Sequence, residues 1–596
     1  MSLFTPGAAP GPETESEDRE SAGSEEAAEL QSTDADAEQN DAKTDSAEAD
    51  EKDDGGSAPR RWRSVVGWAV TVAAVALVLF GLLLPDQLVR LTPGAFARIP
   101  IEGVVGAGIL LVLPGRARTV AAVAAGTFLG LLTIVKCLDM GFNEVLVRPF
   151  DPVLDWVMLR PAVEFVDGTS GRSAAVGVVI AVVLLVVAVL VLMALSVLRI
   201  ARVAARYHRP AAGGLVVLAA AWAACTALGA QFVQGVPVAS DGSATLTMAH
   251  AKQVGASIDD RKKFAAQAAV DPFRDTPGDK LLTGLRGKDV MLNFVESYGR
   301  DAVEDPEFAP QVDAVLDDGT RRLRAAGYSA RSAWLTSPTA GGGSWLAHST
   351  LLSGLWINNQ QRYRTLVSSD RLTLNRAFQR AGWRSVGLVP GVSRAWPESR
   401  FFGFDKVYDS DHLGYRGSPF GWATMPDQYS LLTLHRTEFA KPDHPPLMVE
   451  MPMLSSHAPW APIPHMIDWD AVGDGSVYKQ MAASADQQGY VWKDKTRIRA
   501  QYRKSIEYTL TSLISYVEKY GDKNLVLIFL GDHQPAPVIT GEKASRDVPI
   551  TIVAHDKAVL DRVSGWNWQD GLRPGKQAPL WAMSDFRNRF LTAFSS

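Results

Sequence analysis

The chain has 596 residues, too many for one ordinary domain, and its net charge of −5 is spread very unevenly. Residues 1–56 hold 18 Asp/Glu against 3 Lys/Arg, a net of −15, so the remainder carries +10. Only two cysteines occur, Cys137 and Cys225, both in apolar stretches, which excludes a disulfide framework or a thiolate metal site in the C-terminal half.

Residues 1–59 are rich in Ala, Glu, Asp and Ser and nearly free of aromatics. Such a segment buries too little apolar surface to offset its ordering entropy, so a disordered, solvated cytoplasmic tail is expected. The acidic tail precedes the first apolar run, so no cleavable signal peptide is visible and that run is expected to stay as an anchor.

Over 60–236 the pattern predicts five transmembrane helices. Ser64–Leu84, Ser173–Leu198 and Ala211–Gly235 are uncharged and long enough to cross a bilayer core. Ile99–Pro114 and Thr119–Val135 are shorter, and the basic turn Gly115-Arg116-Ala117-Arg118 joins them as a hairpin. With the N-terminus inside, Arg60, Arg61, Arg63, Arg116, Arg118, Arg199, Arg202, Arg206 and Arg209 all fall on the cytoplasmic face, nine basic residues against six opposite. The positive-inside rule then predicts a multi-pass cell-membrane protein whose C-terminal part lies outside the cell. The loop 140–171 is expected outside, with an amphipathic, interfacial character. There Asp139, Arg148 and Asp151 serve for anchoring in preference to lipid contact. A polar linker with one amphipathic helix is expected over 237–287.

From Lys288 to the end, short apolar runs alternate with longer helical ones, which predicts an α/β domain. Strands are expected at Val290–Val295, Ser385–Val389, Leu447–Met451, Leu525–Leu530 and Val548–Val553. Helices are expected at Phe308–Ala326, Trp345–Leu355, Arg371–Ala381 and Ile498–Lys519. In open α/β sheets ligands collect at the carboxyl ends of strands. Three such ends deliver Glu296, then Ser456-His457, then Gly531-Asp532-His533. Glu296, Asp532 and His533 form an oxygen/nitrogen set suited to one divalent cation, with Mn2+, Mg2+ and Zn2+ all compatible.

In Gly341-Gly342-Gly343-Ser344-Trp345 three glycines lead to a serine that opens a helix. This places a hydroxyl at a helix N-terminus, where backbone N–H groups favour anions. A nucleotide-binding loop is disfavoured by the absence of Gly-Lys-Ser/Thr. A plain helix cap is the alternative for Ser344 alone. His348, one turn later, has a position from which it could face the site, but a packed or solvated helix histidine is the preferred reading.

Taken together, these residues resemble the catalytic domain of lipoteichoic acid synthases and related phosphoglycerol transferases, which are sulfatase-like members of the alkaline phosphatase superfamily. The likeness rests on Val295-Glu296-Ser297, Gly343-Ser344, Phe402-Gly403-Phe404-Asp405-Lys406-Val407-Tyr408-Asp409, Ser456-His457, Gly531-Asp532-His533 and Val548-Pro549-Ile550, in the family's order. It implies an α-helical membrane domain followed by an extracytoplasmic alkaline phosphatase/sulfatase-like α/β domain over 288–596. It further implies one metal, usually Mn2+, held by Glu296, Asp532, His533 and the nucleophile Ser344, with His457 on the substrate phosphate. Trp396 with Arg394 or Arg400 resembles the headgroup-binding stretch, at a different spacing. Lipoteichoic acid synthases usually carry Thr where Ser344 stands. True sulfatases need a Cys/Ser-X-Pro-X-Arg context, which Ser344-Trp345 does not supply.

The implied activity moves an anionic phospholipid headgroup, phosphoglycerol-like, to a glycan or glycolipid acceptor. Water as acceptor would make a hydrolase of the same site, and a non-catalytic membrane protein would retain only the fold. The bilayer is an expected partner and nucleic acid is not.

Overall fold

The computed structural model describes residues 58–159, 163, 166–167, 171–233, 235–393 and 396–596. The tail expected over 1–59 lies outside them as far as residue 57, and so does part of the loop 140–171.

Five apolar helices occupy the N-terminal region: α1 (Ala58–Leu83), α2 (Ile101–Val112), α3 (Gly115–Leu146), α4 (Arg172–Arg206) and α5 (His208–Ala227). Four of them are long and apolar enough to cross a membrane by length and composition; α2, with 12 residues, is shorter. At 1.5 Å per residue α2 rises about 18 Å against a hydrocarbon core of about 30 Å. It is closed onto α3 by Arg118, whose guanidinium donates to the carbonyls of Leu110 (2.9 Å), Leu111 (3.4 Å) and Leu113 (2.9 Å). The Leu110 and Leu111 carbonyls lie in the last turn, where no intrahelical donor remains, so one side chain caps much of the helix end.

The polar linker forms a 28-residue helix, α6 (Gly242–Ala269). Its side chains reach in both directions. His250 Nε2 meets the buried Asp139 carboxylate at 2.9 Å, and Ser257 Oγ donates to Asp151 at 2.8 Å. Further along, Asp260 accepts two bonds from Arg362, and beyond the helix Asp271 accepts from Arg587. Asp139 and Asp151 are therefore spent on internal anchoring, and Arg148 is paired twice with Asp155, at 2.5 and 2.7 Å.

The C-terminal domain is built on a nine-stranded sheet. Its strands are β1 (Asp289–Val295), β2 (Ser329–Thr336), β3 (Arg384–Val389), β4 (Lys406–Asp409), β5 (Leu447–Met453), β6 (Leu525–Gly531), β7 (Asp547–Ala554), β8 (Gln569–Asp570) and β9 (Leu580–Ala582). The order is β8-β2-β7-β6-β1-β5-β3-β4, with β9 also on β2. The run β6-β1-β5-β3-β4 is parallel, and β7 is antiparallel to both its neighbours. Every residue of β1, β6 and β7 is buried, as both faces of a covered sheet require. On one face, Met291 and Val295 of β1 join Val312 and Leu316 of α7 (Ala309–Ala325) in a single apolar cluster. The long helix α11 (Lys495–Tyr520) adds Leu510 and Leu513 to that cluster. The helices α8 (Ser344–Ser353) and α9 (Leu374–Arg380) follow β2, and α10 (Asp427–Leu434) precedes β5. The parallel arrangement brings the ends of β1, β5 and β6 to one edge.

Candidate active site

Register fixes the first part of the site. Gly531 pairs with Val295, so Glu296 and Asp532 leave adjacent strands side by side. Ser297 then donates its backbone N–H to Asp532 Oδ1 at 2.8 Å and its hydroxyl to Glu296 Oε1 at 2.9 Å. The neighbouring strand end contributes Ser456, whose hydroxyl donates to the Glu296 carbonyl at 2.6 Å. Ser337, at the end of β2, donates to the Asp532 carbonyl at 2.6 Å. Four strand ends are thus tied together by short polar side chains.

Onto this edge the glycine loop delivers Ser344 as the first residue of α8, after Gly343 in the left-handed conformation. Ser344 Oγ donates to Glu296 Oε2 at 2.8 Å and lies 3.3 Å from His533 Nε2. His533 Nε2 is also 3.3 Å from Glu296 Oε1 and 3.6 Å from Asp532 Oδ2. Glu296, Asp532 and His533 are all buried, and one ligand atom of each lies within 4.8 Å of the others. The site expected from the strand ends and the serine is brought together as one cluster.

Electrostatics mark the cluster as unbalanced. Burial, and then the Glu296 charge, push the Asp532 carboxyl up to about 7. Burial works to lower His533, but Asp532 and Glu296 raise it to about 9. Burial also acts to raise Glu296, yet the charges of His533 and His457 hold it well below the usual carboxylate range. Burial takes His457 down to about 4, so its ring is neutral near pH 7.

The donor set fits a divalent cation. Asp532 Oδ2 is buried without a hydrogen-bond partner, which is costly unless a ligand completes it. His533 Nδ1 is engaged by the Gln534 carbonyl at 2.9 Å, which orients Nε2 as the ligand nitrogen. Glu296, Asp532, His533 and the Ser344 hydroxyl would hold the ion.

The outlying expectations fare differently. The His457 ring is bonded through Nδ1 to the Ala458 carbonyl and lies flat against Trp422, centroids 4.0 Å apart and planes 19° apart. Trp422 was not singled out in the sequence, where nothing in its spacing distinguishes it from the other tryptophans. Trp396 packs on Phe402 and Phe404, with centroids 5.7 and 5.5 Å away. Arg400 is exposed, and its carbonyl accepts from Arg376. Arg394 lies outside the described residues. His348 stacks on Phe294 at 3.7 Å with Nδ1 3.6 Å from Glu450, so it is packed, while its charge also acts on Asp532 and its Nε2 is buried without a hydrogen-bond partner.

No family profile matches the chain, and no curated protein does. Solved structures do. The lipoteichoic acid synthase LtaP from Listeria monocytogenes matches at 14% identity over 51% of this chain and 71% of its own, TM-score 0.33. The C-terminal periplasmic domain of EcEptC from Escherichia coli, in complex with Zn, matches at 13% over 52% and 82%, TM-score 0.35. The Streptococcus pyogenes phosphoglycerol transferase GacH, in complex with sn-glycerol-1-phosphate, matches at 14% over 57% and 91%, TM-score 0.31. At these identities and scores the chemistry rests on the side chains described above.

Proposed function

We propose that the protein is a membrane-anchored, metal-dependent phosphoester transferase that acts outside the cytoplasm and passes a phospholipid headgroup through Ser344. The observation that carries this reading is the Ser344 hydroxyl, set at a helix start 2.8 Å from Glu296 and 3.3 Å from His533 within the buried acidic cluster. A divalent cation bound there, Mn2+ by the family resemblance, supplies positive charge that lowers the pKa of a hydroxyl and draws density from a phosphoryl oxygen.

Ser344 Oγ attacks the phosphorus of a headgroup diester in line, and its proton passes to solvent. The bond to the diacylglycerol oxygen breaks, and that oxygen takes a proton from solvent. The N-terminal N–H groups of α8 favour the negative charge that develops on the phosphoryl oxygens. His457, stacked on Trp422, has its Nδ1–H committed to the Ala458 carbonyl, so it would donate from Nε2 to the same group only when protonated, the form an anionic phosphoryl group beside it would favour. A glycan or glycolipid hydroxyl then displaces Ser344 Oγ from the phosphorylated serine. Water in that place would give hydrolysis. The sidedness rests on the basic clusters expected inside.

The test is mass spectrometry of the full-length protein incubated with phosphatidylglycerol and Mn2+. A headgroup phosphoester on Ser344 is expected, lost together with turnover in Ser344→Ala. Turnover at the wild-type rate in Ser344→Ala would sink the assignment. Release of free glycerol phosphate with no acceptor product would make water the acceptor.

A further inference from the structure

The end of the membrane helix α3 meets the nucleophile loop. A Cβ built on Gly341 would lie 1.6 Å from the Val145 carbonyl oxygen, and one on Gly342 would lie 3.3 Å from Leu146. On the loop's other side Gly341 N–H donates to the Gln534 carbonyl at 2.8 Å, one residue after His533. Arg148 follows Val145 by one turn of chain, and Arg546 reaches the same loop, donating to the Pro338 carbonyl at 3.2 Å. Backbone pairing fixes Arg546 there, because its carbonyl accepts from Ser337 N–H at 2.9 Å.

Charge at this seam does not balance. Arg148 is neutralised by its two bonds to Asp155. Arg546 has five donor hydrogens, one neutral carbonyl, and no carboxylate partner among the described residues. Burial, and then the charge of Arg148, hold its guanidinium below the usual arginine value. Elsewhere in the same domain, where Arg371 and Arg587 are buried together, Asp271 bonds both. A half-buried guanidinium with spare donors is stabilised by an anion that accepts from its fork, and a phosphodiester does so with a single negative charge.

We propose that Arg546, at the seam between the end of α3 and the Pro338–Gly341 loop, holds the phosphate of an anionic phospholipid. The lipid source is favoured over a free anion because the seam is closed by the last turn of a membrane helix. The inference rests on the lipid-donor reading above and adds a holding point distinct from His457.

Binding is read on the full-length Ser344→Ala protein, so that turnover plays no part, by native mass spectrometry with phosphatidylglycerol, phosphatidylcholine or free glycerol phosphate. Phosphatidylglycerol is expected to be retained in preference to phosphatidylcholine. Adding Arg546→Gln should weaken its retention about 10-fold, the worth of a charge-assisted hydrogen bond, without altering phosphatidylcholine. Arg546→Lys, which keeps the charge and a donor for Pro338 but gives up the fork, should fall between the parent and Arg546→Gln. Unchanged retention in Arg546→Gln overturns the proposal, as does equal loss in Arg546→Lys. Displacement of the lipid by free glycerol phosphate that itself binds through Arg546 overturns the lipid source. Arg546-dependent retention without a Ser344 adduct in the wild type would leave this site standing and remove the transferase reading.

Discussion

Asp532 at about 7 and His533 at about 9 mean that, near pH 7.5 and without metal, His533 carries a proton and Asp532 does so part of the time. A cation needs the neutral imidazole and the carboxylate, so loading must release protons and affinity must rise with pH up to about 9. Calorimetry of Mn2+ binding in buffers of different ionisation enthalpy should show one to two protons, order of magnitude, released at pH 7.5; no release would contradict the assigned ligands. Stability follows the same groups. Both folded values lie above the unfolded ones, 6.5 for His533 and 3.8 for Asp532, so their contribution is complete at low pH and lost as pH rises through 7 and 9. The metal-free protein should therefore melt lower at pH 9 than at pH 6.5, and the loaded protein should not. Trp422 acts at the same scale by holding the His457 ring. Trp422→Ala should cost about 10-fold in kcat/KM and Trp422→Phe much less, in line with an aromatic pair worth about 1 kcal/mol. Equal losses would mean that Trp422 does more than stack. The candidate ligands Asp532 and His533 were legible because polar residues at the turn after an all-apolar strand have few places to go, whereas Glu296 gained weight only from the other strand ends. Trp422 was not, because stacking on a histidine 35 residues away leaves no local pattern.

At the scale of elements, the buried strands β1, β3, β5, β6 and β7 stand where short, mainly apolar runs predict them. β2 was missed. Its sequence Ser-Ala-Arg-Ser-Ala-Trp-Leu-Thr mixes charge and small residues, because its first half is only partly buried. The strand is held by pairing with β7 over eight residues, an energy term that periodicity does not contain. β2 leads directly into the nucleophile loop, so the loop's placement was equally hidden. Gly341 tests that placement. It sits at φ +72 with the Val145 carbonyl in the space of a side chain, whereas Gly541 sits at φ +75 with nothing within 4 Å. Gly541→Ala should cost only the backbone strain of φ 75 and ψ 176, a region reserved for glycine, about 1–3 kcal/mol in thermal unfolding. Gly341→Ala must in addition push α3 away from the loop, and should lower kcat/KM at least 10-fold more, on the scale of a displaced reacting group. Equal effects of the two changes would show that α3 does not support the loop.

For the whole molecule, α6 and the segment after it link the apolar helices to the sheet domain, beside the contact of α3 with the Gly341 loop, and do so in part through a succession of acids. Asp139, Asp151, Asp260 and Asp271 each accept from a partner distant in sequence. Composition shows such a stretch only as a polar linker, since a carboxylate's partner is invisible until both ends are placed. Asp271 is the most heavily committed. It lies against two buried guanidiniums, with Arg587 Nη2 at 2.9 Å from both its oxygens and Arg371 Nε at 3.4 Å, and it accepts the N–H groups of Phe273 and Leu372. Burial alone would raise its carboxyl, but Arg587, the Phe273 N–H and Arg371 hold it below the usual value. A depressed value stabilises the fold above about pH 4 and ceases to do so as pH falls through the folded value. Asp271→Asn keeps the shape and removes the charge, leaving two buried cations without a counter-ion. Breaking a buried pair in this way costs about 3–5 kcal/mol. The variant should therefore melt several degrees lower than wild type at pH 7, and the difference should shrink on acidification, where the wild-type carboxyl is itself protonated. Asp260→Asn removes a partly exposed pair and should cost about 1 kcal/mol or less. If the two substitutions cost the same at pH 7, the charge balance at Asp271 is not what secures the sheet domain to the segment that leads from the membrane helices.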